Sequence, residues 1–124
     1  MEFYIPAEPV PASRPRVTRA GFAYYAKPYT RFKTLLKDWW TSHYTADPML
    51  GPVAVGCAFV ATRPKKTVLA APRPDVDNYV KALLDSMNGI VWKDDTQVVS
   101  LAAAKQWSTD AREAGIYVVI EPAA

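Results

Sequence analysis

Arg73-Pro74-Asp75-Val76-Asp77-Asn78-Tyr79-Val80-Lys81 is the stretch on which the reading of this sequence turns, and Lys93-Asp94-Asp95-Thr96-Gln97 echoes it. Between the two, Val76, Val80, Leu83, Leu84 and Met87 recur at helical spacing, which predicts a short helix with one apolar face. Asp75 or Asp77 is its natural N-cap, because a short carboxylate accepts from the free N–H groups of a first turn. Asn88-Gly89 is a natural stop, since both residues tolerate the left-handed conformation that ends helices. Ile90-Val91-Trp92 then leads through a polar turn into a strand pattern from Gln97 to Trp107. Four aspartates therefore bracket one helix. Whether the turn at Lys93–Thr96 returns Asp94 and Asp95 to the helix start decides what they do.

Carboxylates held close together raise one another's pKa and cost stability unless something positive sits among them. A hard divalent cation such as Mg²⁺ suits such a group, since it takes oxygen ligands and keeps several waters. It can activate a water and neutralise charge developing on a phosphate. Lys81, four residues after Asp77, shares its helical face and is placed to hold a phosphate. A plainer reading stands beside this one. Asp77 is then an N-cap, Lys81 its ion-pair partner, and Asp94-Asp95 a solvated hairpin turn; an aspartate pair spaced by one residue is a weak signal alone.

Composition narrows the class. The chain has 124 residues, 50% hydrophobic and 22% charged, as expected of a single globular domain over residues 1–124. No apolar run approaches a membrane span, and Met1–Pro6 lacks the basic and apolar regions of a signal peptide. The lone Cys57 excludes an internal disulfide, suits a reducing cytoplasm, and lies in an apolar strand pattern that reads as core. His43, the only histidine, reads as a packing or surface residue. With one Cys and one His, zinc is not expected. The net charge is +3, yet Met1–Lys37 holds seven basic residues against Glu2 and Glu8, a local balance of +5. Such a concentration favours a polyanionic partner.

Along the chain, Phe3-Tyr4-Ile5 reads as a first strand. Pro6, Pro9, Pro11 and Pro15 make the next stretch a loop, on which hang Arg14, Arg16 and Arg19. Gly21–Tyr25 reads as a short strand or hairpin arm. Basic residues interleaved with aromatics suit phosphate contact and base stacking. Pro28–Tyr44 reads as a helix with Phe32, Leu35, Leu36, Trp39 and His43 on one face. Trp39 and Trp40, being adjacent, cannot face the same core, which makes one of them a candidate for a subunit interface. Val53–Ala61, apolar and uncharged, reads as a central strand buried on both faces. Arg63-Pro64-Lys65-Lys66 then opens a segment read as a mobile, DNA-facing loop, and Gly115–Ile120 reads as the last strand. The fold class expected is α+β, a small domain with a mixed β-sheet and two main helices.

The blocks Arg73-Pro74-Asp75-x-Asp77-Asn78-x-x-Lys81, Leu84-Asp85-x-x-Asn88-Gly89 and Asp94-Asp95-x-Gln97-Val98, in this order and spacing, resemble the RusA-type Holliday junction resolvases. The match covers about a quarter of the chain. The resemblance implies a homodimeric, Mg²⁺-dependent endonuclease, Mn²⁺ substituting, that cuts four-way DNA junctions symmetrically in recombination and repair. It implies Asp75, Asp77 and Asp95 as catalytic carboxylates and metal ligands, with Lys81 as the lysine of the catalytic site. Asp94 is the less certain member of its pair, and Asp85 is read as structural or ion-pairing. Expected DNA contacts are Arg14, Arg16, Arg19, Lys27, Arg63, Lys65, Lys66 and Arg73. The expected setting is the cytoplasm of a bacterium or of a phage-infected host. The alternative is a non-catalytic module that binds branched DNA.

Overall fold

A computed structural model of the chain describes residues 1–13, 16–21, 23–24 and 27–123. Its main sheet has four strands, β1 (Glu2–Ile5), β4 (Val53–Ala61), β5 (Val98–Trp107) and β6 (Gly115–Pro122), in the order β1-β6-β4-β5. β6 runs antiparallel to both β1 and β4, while β4 and β5 are parallel, so the sheet is mixed. A parallel pair needs a crossover, and α2 (Val76–Met87) lies within it. The other helix, α1 (Lys27–His43), follows a small antiparallel ribbon in which β2 (Arg16–Val17) pairs with β3 (Ala23–Tyr24). The α+β class, the mixed sheet and the two helices are as the sequence predicts. No helix among the described residues is long and apolar enough to cross a membrane.

The helices share one face of the sheet. Phe59 of β4 stacks on Tyr79 of α2 at 5.2 Å, and Phe3 of β1 meets Trp40 of α1 edge-on at 5.1 Å. Along β4, Val53, Val55, Cys57 and Phe59 are buried, while Ala54, Gly56 and Ala58 are only half-buried. The strand is central, but on its second face Val60 alone is fully buried, and it lies outside the main core cluster; the expectation of burial on both faces is corrected for Ala54–Ala58. A run of small apolar residues reads alike whether its second face is covered or open, because Ala and Gly expose little when left bare.

The buried stripe of α1 is Tyr29, Phe32, Leu36 and Trp40. The sequence reading had its phase wrong: Leu35 is 49% exposed, and Trp39 and His43 sit at the edge. Tyr29, left out of that reading, fixes the rotation. Trp40 is fully buried. Trp39, half-buried, meets Phe3 at 6.1 Å and stacks flat on His43 at 4.1 Å. His43, exposed and stacked on Trp39, has the packing or surface role expected of it. In α2 the stripe is Tyr79, Val80, Leu83 and Met87, with Asn88 as C-cap and Gly89 at φ +81° ending the helix as the Asn-Gly pair predicts.

Candidate active site

The first turn of α2 presents the aspartates. Asp75 is the N-cap residue, with extended backbone, and its carbonyl accepts from the N–H groups of Asn78 and Tyr79 at 3.1 and 3.4 Å. Its carboxylate makes no capping bond. Asp75 and Asp77 are both exposed, and neither carboxylate bonds to a described residue. Lys81 pairs with Asp85, at 3.4 Å, and not with Asp77. With Lys81 61% exposed the bridge contributes little to stability, so the ammonium remains available to solvent. Asp85 also accepts a long hydrogen bond, 3.5 Å, from the Tyr29 hydroxyl, which makes it the ion-pairing, structural residue it was read as.

Asp94 and Asp95 part company. Asp94 caps a 3-10 turn, Asp95–Gln97, in a reciprocal box: its side chain accepts from the turn while the Gln97 side chain accepts from the Asp94 N–H. Thr96, through its side chain and then its backbone, holds the Asp94 carboxyl below the usual aspartate range. Asp95, half-buried, opens the turn, and its carboxylate bonds to no described residue. The turn lies against α2. Among the described residues, however, no three His, Cys, Asp or Glu side chains stand close enough to hold one metal ion. The structure brings Asp75 and Asp77 onto one helical turn and leaves Asp95 on a neighbouring element.

Two loops reach the start of α2. The Ala12 N–H donates to the Asn78 carbonyl at 2.9 Å, so the proline-rich loop reaches the aspartate turn just before its arginines begin. The Glu8 carboxylate accepts from both the N–H and the hydroxyl of Thr62, each at 2.8 Å, which fixes that loop beside the segment holding Arg63, Lys65 and Lys66. This second segment makes three hydrogen bonds to β5 and the residue after it: Arg63 N–H to Ser108 Oγ at 3.2 Å, Trp107 Nε1 to the Leu69 carbonyl at 2.9 Å, and Lys105 Nζ to the Pro74 carbonyl at 2.8 Å. Arg19, Lys27, Arg63, Lys65, Lys66 and Arg73 are exposed, and none forms an ion pair with a described residue. Arg19 lies in the turn after β2, closed by Gly21 N–H to the Thr18 carbonyl at 2.9 Å. Arg14 and the side chain of Arg16 lie outside the described residues.

Two residues escaped the sequence reading as individuals. Gln97 was noted only as part of a motif; its amide donates to the carbonyls of Met49 and Gly51 at 2.9 and 3.0 Å and so clamps the 3-10 turn to the approach to β4. Lys105 was passed over, though it is the only charged residue in β5, a signal present in the sequence. Cys57 is buried, and burial pushes its thiol up to about 12, which removes it as a nucleophile.

Comparison with known proteins adds two findings. The chain is 30% identical over 129 residues to a Bacillus subtilis (strain 168) protein described as uncharacterized protein YqaN, covering 90% of this chain and 91% of the relative. The family model described as endodeoxyribonuclease RusA matches residues 6–121, a span that contains both aspartate blocks, the basic segments and every strand but β1 and the tip of β6. The chain therefore belongs to the RusA endodeoxyribonuclease family.

Proposed function

We propose that this protein is a Mg²⁺-dependent, structure-selective endonuclease that resolves four-way or otherwise branched DNA by paired, symmetric cuts. The observation that carries the reading is the Ala12–Asn78 hydrogen bond, which brings the proline-rich loop, two residues before Arg14 in sequence, against the turn bearing Asp75 and Asp77. An acidic site that works on a polyanion needs such a neighbour, because phosphate contacts supply most of the affinity for DNA.

In this reading Asp75, Asp77 and Asp95 would hold Mg²⁺, or Mn²⁺ in its place, once Asp95 is drawn closer to the helix start than it stands here. The donor set fits in kind: three hard oxygen donors, with the Asp75 and Asp77 carboxylates exposed and uncommitted. The bound ion supplies an activated water and offsets charge on the phosphate. Lys81, one helical turn beyond Asp77, leaves its weak pairing with Asp85 to stabilise the departing oxyanion. Arg19, Lys27, Arg63, Lys65, Lys66 and Arg73, with Arg14 and Arg16, hold and orient the sugar-phosphate backbone.

Paired cuts need two sites, hence a homodimer with one site per subunit. β5 supports that assembly. It is an edge strand, Val98–Ala104 carries neither charge nor proline, and Val99 and Leu101 are 63% and 47% exposed. Exposed edges are ordinarily blunted by charge or proline; an uncharged strand can pair antiparallel with its own copy without opposing like charges.

A labelled four-way junction and a matched linear duplex, each with and without Mg²⁺, test the reading. Cutting of the junction only, and only with Mg²⁺, is expected, as is its loss in Asp75→Asn, Asp77→Asn and Asp95→Asn with junction binding retained. Dimers of wild type with Asp77→Asn are expected to nick one strand. The open spacing of the three carboxylates favours one rival, a non-catalytic module that binds branched DNA. Tight junction binding with no cutting under any divalent ion decides for that rival.

A further inference from the structure

Lys105 is the only charged side chain in β5. In the parallel register it stands beside Phe59, so it shares the helix-covered face of the sheet. Phe59 in turn stacks on Tyr79, in the first turn of α2. The Lys105 ammonium thus comes up under the start of that helix, half-buried, and donates to the Pro74 carbonyl at 2.8 Å. No carboxylate among the described residues pairs with it.

For the helix itself this placement is unfavourable. A helix N-terminus already carries partial positive charge, and a half-buried ammonium gives up part of its hydration. The placement suits anions gathered at that end. Asp75 follows the held carbonyl directly, its carboxylate is not spent on capping, and Asp77 lies one residue beyond Val76. Trp107, two residues further along the same face of β5, holds the Leu69 carbonyl, so the strand pins the incoming segment at two points.

We propose that Lys105 is a positioning residue for Asp75. By holding the Pro74 carbonyl it fixes the backbone from which the Asp75 carboxylate projects, and its charge offsets the repulsion between Asp75 and Asp77. The inference rests on the reading of Asp75 as a residue of the cutting site.

The test compares Lys105→Met, which keeps the apolar stem, with Lys105→Arg, which keeps donor and charge. At saturating junction the Met variant is expected to cut about ten- to a hundredfold more slowly, the scale of a misplaced reacting group. Junction affinity, measured with Ca²⁺ in place of Mg²⁺, is expected to be unchanged. The Arg variant is expected to recover most of the rate. Hydrogen exchange at the Asn78 and Tyr79 amides, which donate to the Asp75 carbonyl, is expected to quicken in the Met variant and not in the Arg variant. Wild-type cutting by the Met variant, equal impairment of Met and Arg, or unaltered exchange in the Met variant each overturns the inference. If the wild type cuts no branched DNA, the endonuclease reading itself fails, and the exchange comparison alone decides whether Lys105 anchors Asp75.

Discussion

Gln97→Ala tests how the second aspartate block is held. The Gln97 side chain donates to the Met49 and Gly51 carbonyls at 2.9 and 3.0 Å and accepts from the Lys93 and Asp94 N–H groups at 3.0 and 3.3 Å. Truncation to Ala removes all four. A hydrogen bond contributes about 1 kcal/mol net, and less where water replaces it, so four bonds at a half-exposed site, the one from Asp94 long at 3.3 Å, amount to about 2–3 kcal/mol. For a domain of this size that corresponds to roughly 10 °C in Tm. Gln97→Glu is expected to be at least as damaging at neutral pH, because it keeps the acceptor yet turns a carboxylate oxygen on two carbonyls. Urea denaturation with a shared m-value reads the stability, and junction cutting well below the unfolding temperature reads the site. Cutting is expected to fall in the folded Ala variant, since Asp95 lies two residues from the lost clamp. A stability loss under about 0.5 kcal/mol, the range of an ordinary surface change, refutes the clamp. Wild-type cutting by the Ala variant refutes its role in holding Asp95.

Asp94→Asn is expected to keep most of the cutting activity, because Asn caps nearly as well as Asp and Asp94 is engaged in the turn; a loss as complete as that of Asp95→Asn would make it a metal ligand. Its folded carboxyl lies below the 3.8 of an unperturbed aspartate, so the stability it confers is present above that value and disappears as pH falls through the lower folded value. Melting curves of wild type and Asp94→Asn are therefore expected to differ at neutral pH and to converge in acid. Replacing Arg14, Arg16 and Arg19 together by Ala is expected to weaken junction binding and to lower the slope of log K against log salt by roughly one per lost phosphate contact; an unchanged slope means that segment does not touch the backbone.

Periodicity and end signals determined most of the fold. The apolar spacing from Val76 to Met87, Asp75 at the N-cap position and the Asn88-Gly89 stop are local, and α2 begins and ends where they predict, although the Asp75 carboxylate makes no capping bond. The family was legible for a similar reason: three short blocks at fixed separation identify it without any knowledge of what touches what. Tertiary structure decided the rest. The phase of α1 depends on Tyr29 and on Phe3 from a distant strand, so residues i and i+1 could not be ranked from the helix alone. Whether β4 is covered on one face or two depends on where both helices land. Asp94 and Asp95 are the same residue type side by side, and they part because the turn sets the Asp94 carboxylate on the Thr96 N–H and leaves that of Asp95 without a described partner. The partners of Lys105, Ala12 and Glu8 lie 31, 66 and 54 residues away in the chain, and contacts of that range are fixed by packing rather than by any pattern a sequence displays.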